Sequence, residues 1–163
     1  MVLAFTTGPL GEEVGWRGFL EPRMLKRYPP LAASLMIGVI WSIWNFPLYL
    51  ERWFSSPATF VTFTLNTMCY SVIMTVLWGF TRASVFWAIM LHWSVNISGG
   101  VVASVFPEIG SRGPPNVPDV GENVTMVLVT VAVVALVGRE RLSRKLEDAL
   151  HTLKGESIDA DRP

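Results

Sequence analysis

The chain of 163 residues contains four apolar stretches, roughly Leu31–Leu50, Ala58–Phe80, Ser84–Val105 and Glu122–Gly138. Each is long enough to cross a bilayer as a helix. A hydrocarbon core of about 30 Å takes around 17–25 helical residues, and the last stretch sits at the short end of that range. Hydrophobic residues make up 51% of the sequence and charged ones 16%; a soluble domain of this size carries more charge and shorter apolar runs. The breaks between the stretches hold loop signals: Glu51–Arg52 with Pro57, then Thr81–Arg82, then the Pro/Gly-rich run from Pro107 to Gly121. The expected fold is all-α, an integral membrane helical bundle with about four full transmembrane helices plus an N-terminal helix bearing a charged motif.

Basic residues supply an orientation. Arg23, Lys26 and Arg27 precede the first stretch, and Arg139, Arg141, Arg144 and Lys145 follow the fourth, whereas the loops after stretches one and three carry only Arg52 and Arg112. Four crossings put both basic clusters on one side, which the positive-inside rule makes cytoplasmic. Lysine plus arginine equals aspartate plus glutamate at 13 each, a balance that gives nucleic acid nothing to bind. The single cysteine, Cys69, excludes an intrachain disulfide and reads as a small buried residue. Two units are expected: a membrane-embedded core over residues 1–138, N-terminally short, and a cytoplasmic tail over 139–163. In the tail Leu142, Leu146, Leu150 and Leu153 recur at helical spacing beside charges. That pattern makes an amphipathic helix, lying on the membrane surface or packed under the bundle. His151 reads as a surface residue, Ser157–Pro163 as a loose end, and Met1–Phe5 as too short to span.

Several polar residues stand where a membrane helix tolerates them badly. Ionised groups cost about 2.5–3.5 kcal/mol each at the centre of a membrane helix, yet Glu12, Glu13 and Arg17 occur together in GEEVGWRGFL. Gly8 and Pro9 mark the entry to a helix here, and Pro22 ends or kinks it. On that helix Glu13 and Arg17 share a face and pair, while Glu12, about 100° around the axis, is left for another task. His92 and Asn96 share a face of the third stretch and read as a site, against an interhelical hydrogen bond as the plainer account. Asn45 lies two residues before Pro47; it either bonds backbone freed by the proline or faces the same cavity as Glu12 and His92. Thr62, Asn66, Thr67, Ser71 and Thr75 suit close helix packing, and Trp53 and Trp78 suit the interfacial aromatic belt. The sequons at Asn96 and Asn123 lie in or against spans and are poor glycan acceptors.

Taken together, these residues resemble the CPBP family of intramembrane proteases, which includes CAAX prenyl endopeptidases and bacterial bacteriocin-processing or self-immunity proteins. The family's EExxxR motif matches Glu12-Glu13-Val14-Gly15-Trp16-Arg17, and its HxxxN motif matches His92 and Asn96. A second motif, an aromatic residue followed four positions later by histidine, is met by Trp41 but carries Asn45 in place of the histidine. The resemblance implies Glu12 as the general base that activates water, with the Glu13–Arg17 pair bracing its helix. His92 and Asn96 would stabilise the oxyanion, or ligate a metal together with Glu12 where the mechanism uses zinc. A zinc mechanism and a metal-free one stand equally. Asn45 is a neutral amide, a poor metal ligand and no base.

The expected function is an intramembrane endopeptidase of a prokaryotic plasma membrane, acting on membrane-associated peptide or protein substrates. The alternative is a catalytically decayed relative that binds peptides or confers bacteriocin immunity, with Asn45 favouring it. A transporter using the charges as an ion site fits less well, because Glu13 and Arg17 neutralise each other and no inverted repeat is visible.

Overall fold

The computed structural model describes residues 8–105 and 120–155. Met1–Phe5, residues 107–119 of the expected loop with Arg112, and Ser157–Pro163 lie outside the described residues. Among the described residues the regular elements are all helices. Helix α1 (Pro9–Glu13), a π-helical segment (Val14–Leu20) and α2 (Glu21–Leu25) follow one another without a break and form the motif helix. After it come α3 (Pro30–Trp44), α4 (Phe46–Ser55), α5 (Pro57–Phe80), α6 (Val85–Val105), α7 (Val120–Val137) and α8 (Arg139–Lys154). Pro9, Pro30, Pro47 and Pro57 each sit in the first turn of a helix, where a missing N–H leaves no helical bond unmade; Pro22 sits just past the π segment, inside the motif helix. Pro22 therefore does not end the motif helix. The wider π turn ahead of it takes up the proline ring, and the helix runs on to Leu25.

One helix, Pro57–Phe80, is by itself long and apolar enough to cross a membrane. The first expected span is broken: α3 and α4 meet at 80° across Asn45. Pro47 has no N–H to give and its ring crowds the carbonyl of Ile43, so the α-helical ladder cannot continue through it. Asn45 closes α3 instead, its backbone N–H shared between Trp41 O and Ser42 O at 3.2 Å each, and its side-chain Nδ2 donating to Trp41 O at 3.0 Å. A second bend of 82° separates α7 from α8. It turns on Gly138 at φ 73°, ψ 147°, a conformation open in practice only to glycine. Counting each bent pair as one crossing, up to three spans are long and apolar enough, and Val85–Ser98 is a shorter apolar helix. The expected count of four full spans is thus not reached among the described residues, where one helix is long enough alone and up to three crossings are with the bent pairs.

Helix α5 is the axis of the bundle, packing against α3, α4, α6, α7 and α8. It meets α3 through small and hydroxylated residues. Ser34 Oγ donates to Thr75 Oγ1 at 2.9 Å, Thr64 Oγ1 donates to Ser42 Oγ at 3.2 Å, and Thr62, Thr67 and Thr75 return their hydroxyls to carbonyls of their own helix. At Gly38 the two backbones all but touch: a Cβ there would lie 2.5 Å from Met68 Cα. Close backbone approach through small residues is how membrane helices gain packing where no hydrophobic gradient drives them together.

Helix α8 takes the second of the two placements open to an amphipathic tail. Leu142, Leu146 and Ala149 are buried against Val76, Trp78 and Ala83 beneath the end of α5, and Leu153 stays exposed. Trp78 is therefore fully buried in this cluster rather than at an interface, and Trp53 is buried in a nest of Phe46, Tyr49, Phe60 and Phe63 with ring centroids 4.9–5.5 Å away. Both depart from the belt positions expected of them; Trp44 and Trp87 are the tryptophans that the bundle leaves outside. Cys69 is half-buried rather than buried.

The Gly38 crossing is directly testable. Gly38→Ala drives a methyl into the Met68 backbone, and thermal unfolding in detergent should show a loss of about 1–3 kcal/mol. Gly11→Ala, with nothing within 4 Å of the added carbon, should be neutral or gain up to about 1 kcal/mol from helix propensity. A melt of Gly38→Ala that matches wild type would contradict the crossing.

Candidate active site

The site is built around charges that have been taken out of solvent. Glu13, Arg17 and Glu21 are all fully buried, and a buried charge is tolerated only when paired. They stand four residues apart along the motif helix. In an α-helix a step of four overshoots the 3.6-residue turn by about 40°, so a column of three such residues drifts off line. The π segment between Glu13 and Glu21 has wider turns, which take up that drift. Arg17 Nη1 lies 3.4 Å from Glu13 Oε2 and Arg17 Nε lies 3.3 Å from Glu21 Oε2. From α5, Ser71 accepts from Arg17 Nη2 with its hydroxyl at 3.2 Å and its carbonyl at 3.4 Å.

Glu13 has a second role. Its Oε1 lies 2.8 Å from Nδ1 of His92 on α6, so an ionised Glu13 accepts a proton-bearing Nδ1 and fixes the imidazole plane. The His92 ring meets the face of Trp41 edge-on, with centroids 4.9 Å apart. The guanidinium of Arg17 sits 5.8 Å from the same indole, within cation–π range. Trp41 itself donates its indole Nε1–H to Glu12 Oε2 at 2.7 Å. Glu12 is half-buried, unlike Glu13 beside it, as their separation around the helix axis requires. One carboxylate is thus locked into the interior and its neighbour is tethered by one N–H and partly open.

Of the six residues singled out from sequence, the structure brings together Glu12, Glu13, Arg17 and His92, with Trp41 as the wall between them. Asn45 sits one turn after Trp41, buried, with its amide N–H bonded to the Trp41 carbonyl. Asn96, one turn beyond His92 on α6, is exposed and makes no hydrogen bond among the described residues. Sequence reasoning missed Glu21, although it repeats beyond Arg17 the same four-residue step that marks Glu13. It also missed the indole N–H of Trp41 as the tether of Glu12, and Ser71 as a ligand of Arg17.

A catalytic zinc takes three protein ligands and keeps a fourth position open. Among the described residues no group of three or more His, Cys, Asp or Glu is placed to hold a metal ion. Glu13 is engaged by His92 and Arg17 and Asn96 offers only a neutral amide, so Glu12 and the second ring nitrogen of His92 are two donors where zinc takes three. As arranged this donor set does not fit zinc, and no step below passes through a metal.

The chain matches the family described as Type II CAAX prenyl endopeptidase Rce1-like over residues 1–98, the part that holds every residue of this cluster. It is 30% identical over 99 residues to CAAX prenyl protease 2 of Methanococcus maripaludis, an overlap of 56% of this chain and 36% of the relative. The matched region thus spans about a third of that relative's length. No solved structure matches the chain.

Arg17 is the hinge of the charge column. Arg17→Ala leaves buried Glu21 without its ion partner and Glu13 with His92 alone, and chemical or thermal unfolding should show a loss of about 3–5 kcal/mol. Replacing the whole column (Glu13→Leu, Arg17→Met, Glu21→Leu) should recover most of that stability, since buried ion pairs seldom outperform apolar packing. An Arg17→Ala protein as stable as wild type would rule out the buried column.

Proposed function

The chain belongs to the Rce1-like family of type II CAAX prenyl endopeptidases, and we propose that it hydrolyses peptide bonds of membrane-associated substrates with a water activated by Glu12. The observation that carries this reading is the division of labour between the two adjacent carboxylates. Glu13 is closed off by Arg17 and His92, whereas Glu12 has one short hydrogen bond, from Trp41 at 2.7 Å, and a partly open environment. A general base needs lone pairs accessible to a water and a fixed orientation; Glu12 meets both conditions, whereas Glu13 is fixed but closed to water.

In this mechanism Glu12 takes a proton from water as the oxygen attacks the scissile carbonyl carbon. The tetrahedral intermediate places negative charge on the former carbonyl oxygen, which His92 Nε2–H and the amide of Asn96 serve as donors. For Nε2 to donate while Nδ1 faces Glu13, the Glu13–His92 pair must hold one proton more than a neutral imidazole and a carboxylate. Glu12 then returns its proton to the leaving amine as the C–N bond breaks. Donors of this kind are worth about 2.7–4 kcal/mol each in known acyl-transfer sites. Asn96 lies one turn from His92 on the same helix and is free to turn toward substrate.

The membrane setting follows the same reading. The α3–α4 pair, α5, α6 and α7 serve as the four crossings, and α8 lies at the cytoplasmic face of a prokaryotic plasma membrane, a placement supported by Arg139, Arg141, Arg144 and Lys145 on α8 and by Arg23, Lys26 and Arg27 ahead of α3. Asn45 supports a second reading, a relative that binds peptides without cutting them. Its amide N–H is bonded to the α3 backbone and cannot act as a base.

The two readings separate in a cleavage assay on purified protein in lipid nanodiscs over a broad peptide library. Wild type should cleave, and Glu12→Gln should lose at least about 100-fold in kcat, the lower end of what general-base catalysis supplies, with an unchanged melt. Full activity in Glu12→Gln would remove Glu12 from the role of base. Silent wild type with an active Asn45→His variant would favour the binding reading. Exhaustive chelation should leave cleavage unchanged; its loss on chelation and return with zinc would overturn the metal-free route.

A further inference from the structure

We propose that Glu21 is a positioning residue for His92, acting through Arg17 by keeping that guanidinium from seizing both oxygens of Glu13. The argument starts from the fork geometry of arginine. A guanidinium left alone with a carboxylate binds it with two parallel N–H···O bonds, through either its Nε edge or its Nη1–Nη2 end. Bidentate capture of that kind would take both oxygens of Glu13 and leave nothing for His92.

Arg17 does not bind Glu13 in this way. Its contact with Glu13 runs from Nη1 to Oε2 at 3.4 Å, while its Nε faces Glu21 Oε2 at 3.3 Å and its Nη2 donates to Ser71 Oγ at 3.2 Å. Glu21 blocks the edge-on mode and Ser71 the end-on mode. Glu13 is held monodentate, and its Oε1 is released to His92 Nδ1 at 2.8 Å. Behind Glu21 the Ser34–Thr75–Ser71 hydroxyl chain, with Ser34 donating to Thr75 at 2.9 Å and Thr75 to the Ser71 carbonyl at 3.0 Å, fixes the α3–α5 wall against which the carboxyl rests. Burying a second carboxylate carries a desolvation cost, and bracing Glu13 would need Arg17 alone. Freeing one oxygen of Glu13 needs Glu21 as well.

The hydrogen-bond consequence stands on geometry alone; its effect on turnover rests on the endopeptidase reading above. The chain has two histidines, His92 and His151, so ¹⁵N-histidine labelling of the whole protein in nanodiscs yields two imidazole systems, assigned by His92→Gln. In wild type at fixed pH the His92 Nδ1–H proton should be strongly downfield and slow to exchange. In Glu21→Gln it should move upfield or exchange away, with His151 unmoved as internal control, and Glu21→Asp should restore it in part. Should Glu21→Gln fail to fold, Ser71→Ala opens the other edge of Arg17 and should shift the same proton in the same direction. A His92 resonance unmoved in folded Glu21→Gln, or in Ser71→Ala where that variant stands in, overturns the proposal. Where wild type cleaves, Glu21→Gln should lower kcat by up to about 100-fold, as expected for small misplacement of a reacting group, at unchanged KM; an unchanged kcat also overturns it. Absence of cleavage by wild type bears on the endopeptidase reading, and the His92 resonance then decides the role of Glu21.

Discussion

The pairing of buried charges in the column Glu13–Arg17–Glu21 is the constraint on which the rest of the bundle turns. Three ionisable groups removed from solvent fix the rotation of the motif helix, because any other rotation would present one of them unpaired to an apolar neighbour. They also fix what must stand opposite. Ser71 has to come from α5 to complete the guanidinium, and His92 from α6 to take the free oxygen of Glu13. Three helices distant in sequence are thereby registered against one another by directional contacts, which dispersion and apolar packing do not supply. The π segment belongs to the same constraint, since it lets a four-residue spacing run down one face.

Apolar packing then determines how closely the remaining helices approach. Membrane-grade helices gain little by hiding apolar surface from an apolar solvent, so their contacts depend on proximity and on hydrogen bonds between small polar side chains. The α3–α5 interface follows that rule, with Gly38 against the Met68 backbone and paired hydroxyls on either side. Its closeness matters for the site, because Trp41, the wall between Glu12 and His92, is carried on α3 and Ser71 on α5. A looser crossing would separate the tether of Glu12 from the brace of Arg17.

Asn45 shows one residue serving two demands. The chain must turn by 80° before Pro47, and an asparagine side chain that bonds the Trp41 carbonyl helps to end the helix there. A histidine at the same position would bring an imidazole one turn after Trp41, the residue that tethers Glu12. The structural use of the amide and the chemistry of a second imidazole compete for one position, and in this chain the helix end has taken it.

Much of the architecture was legible in the residues themselves. Apolar runs marked the helices, Pro9 marked the start of the motif helix, and the four-residue spacing of Glu13 and Arg17 predicted their contact, because each of these depends only on local backbone geometry and hydration. The same holds for the amphipathic face of α8, whose leucines recur at helical spacing. The family resemblance likewise rested on short motifs readable in order along the chain. The bend at Asn45 was half-visible in Pro47, but its angle depends on what α4 packs against. Trp53 and Trp78 looked interfacial, since hydropathy cannot distinguish a tryptophan facing lipid from one facing its own bundle. Tertiary structure alone decided that Glu12 meets the indole of Trp41, that Glu13 shares its second oxygen with His92, and that Glu21 closes the far side of Arg17. Those contacts join residues up to 79 positions apart, and no local rule states which helices will face each other; only the requirement that every buried charge find a partner, solved for all helices at once, selects them.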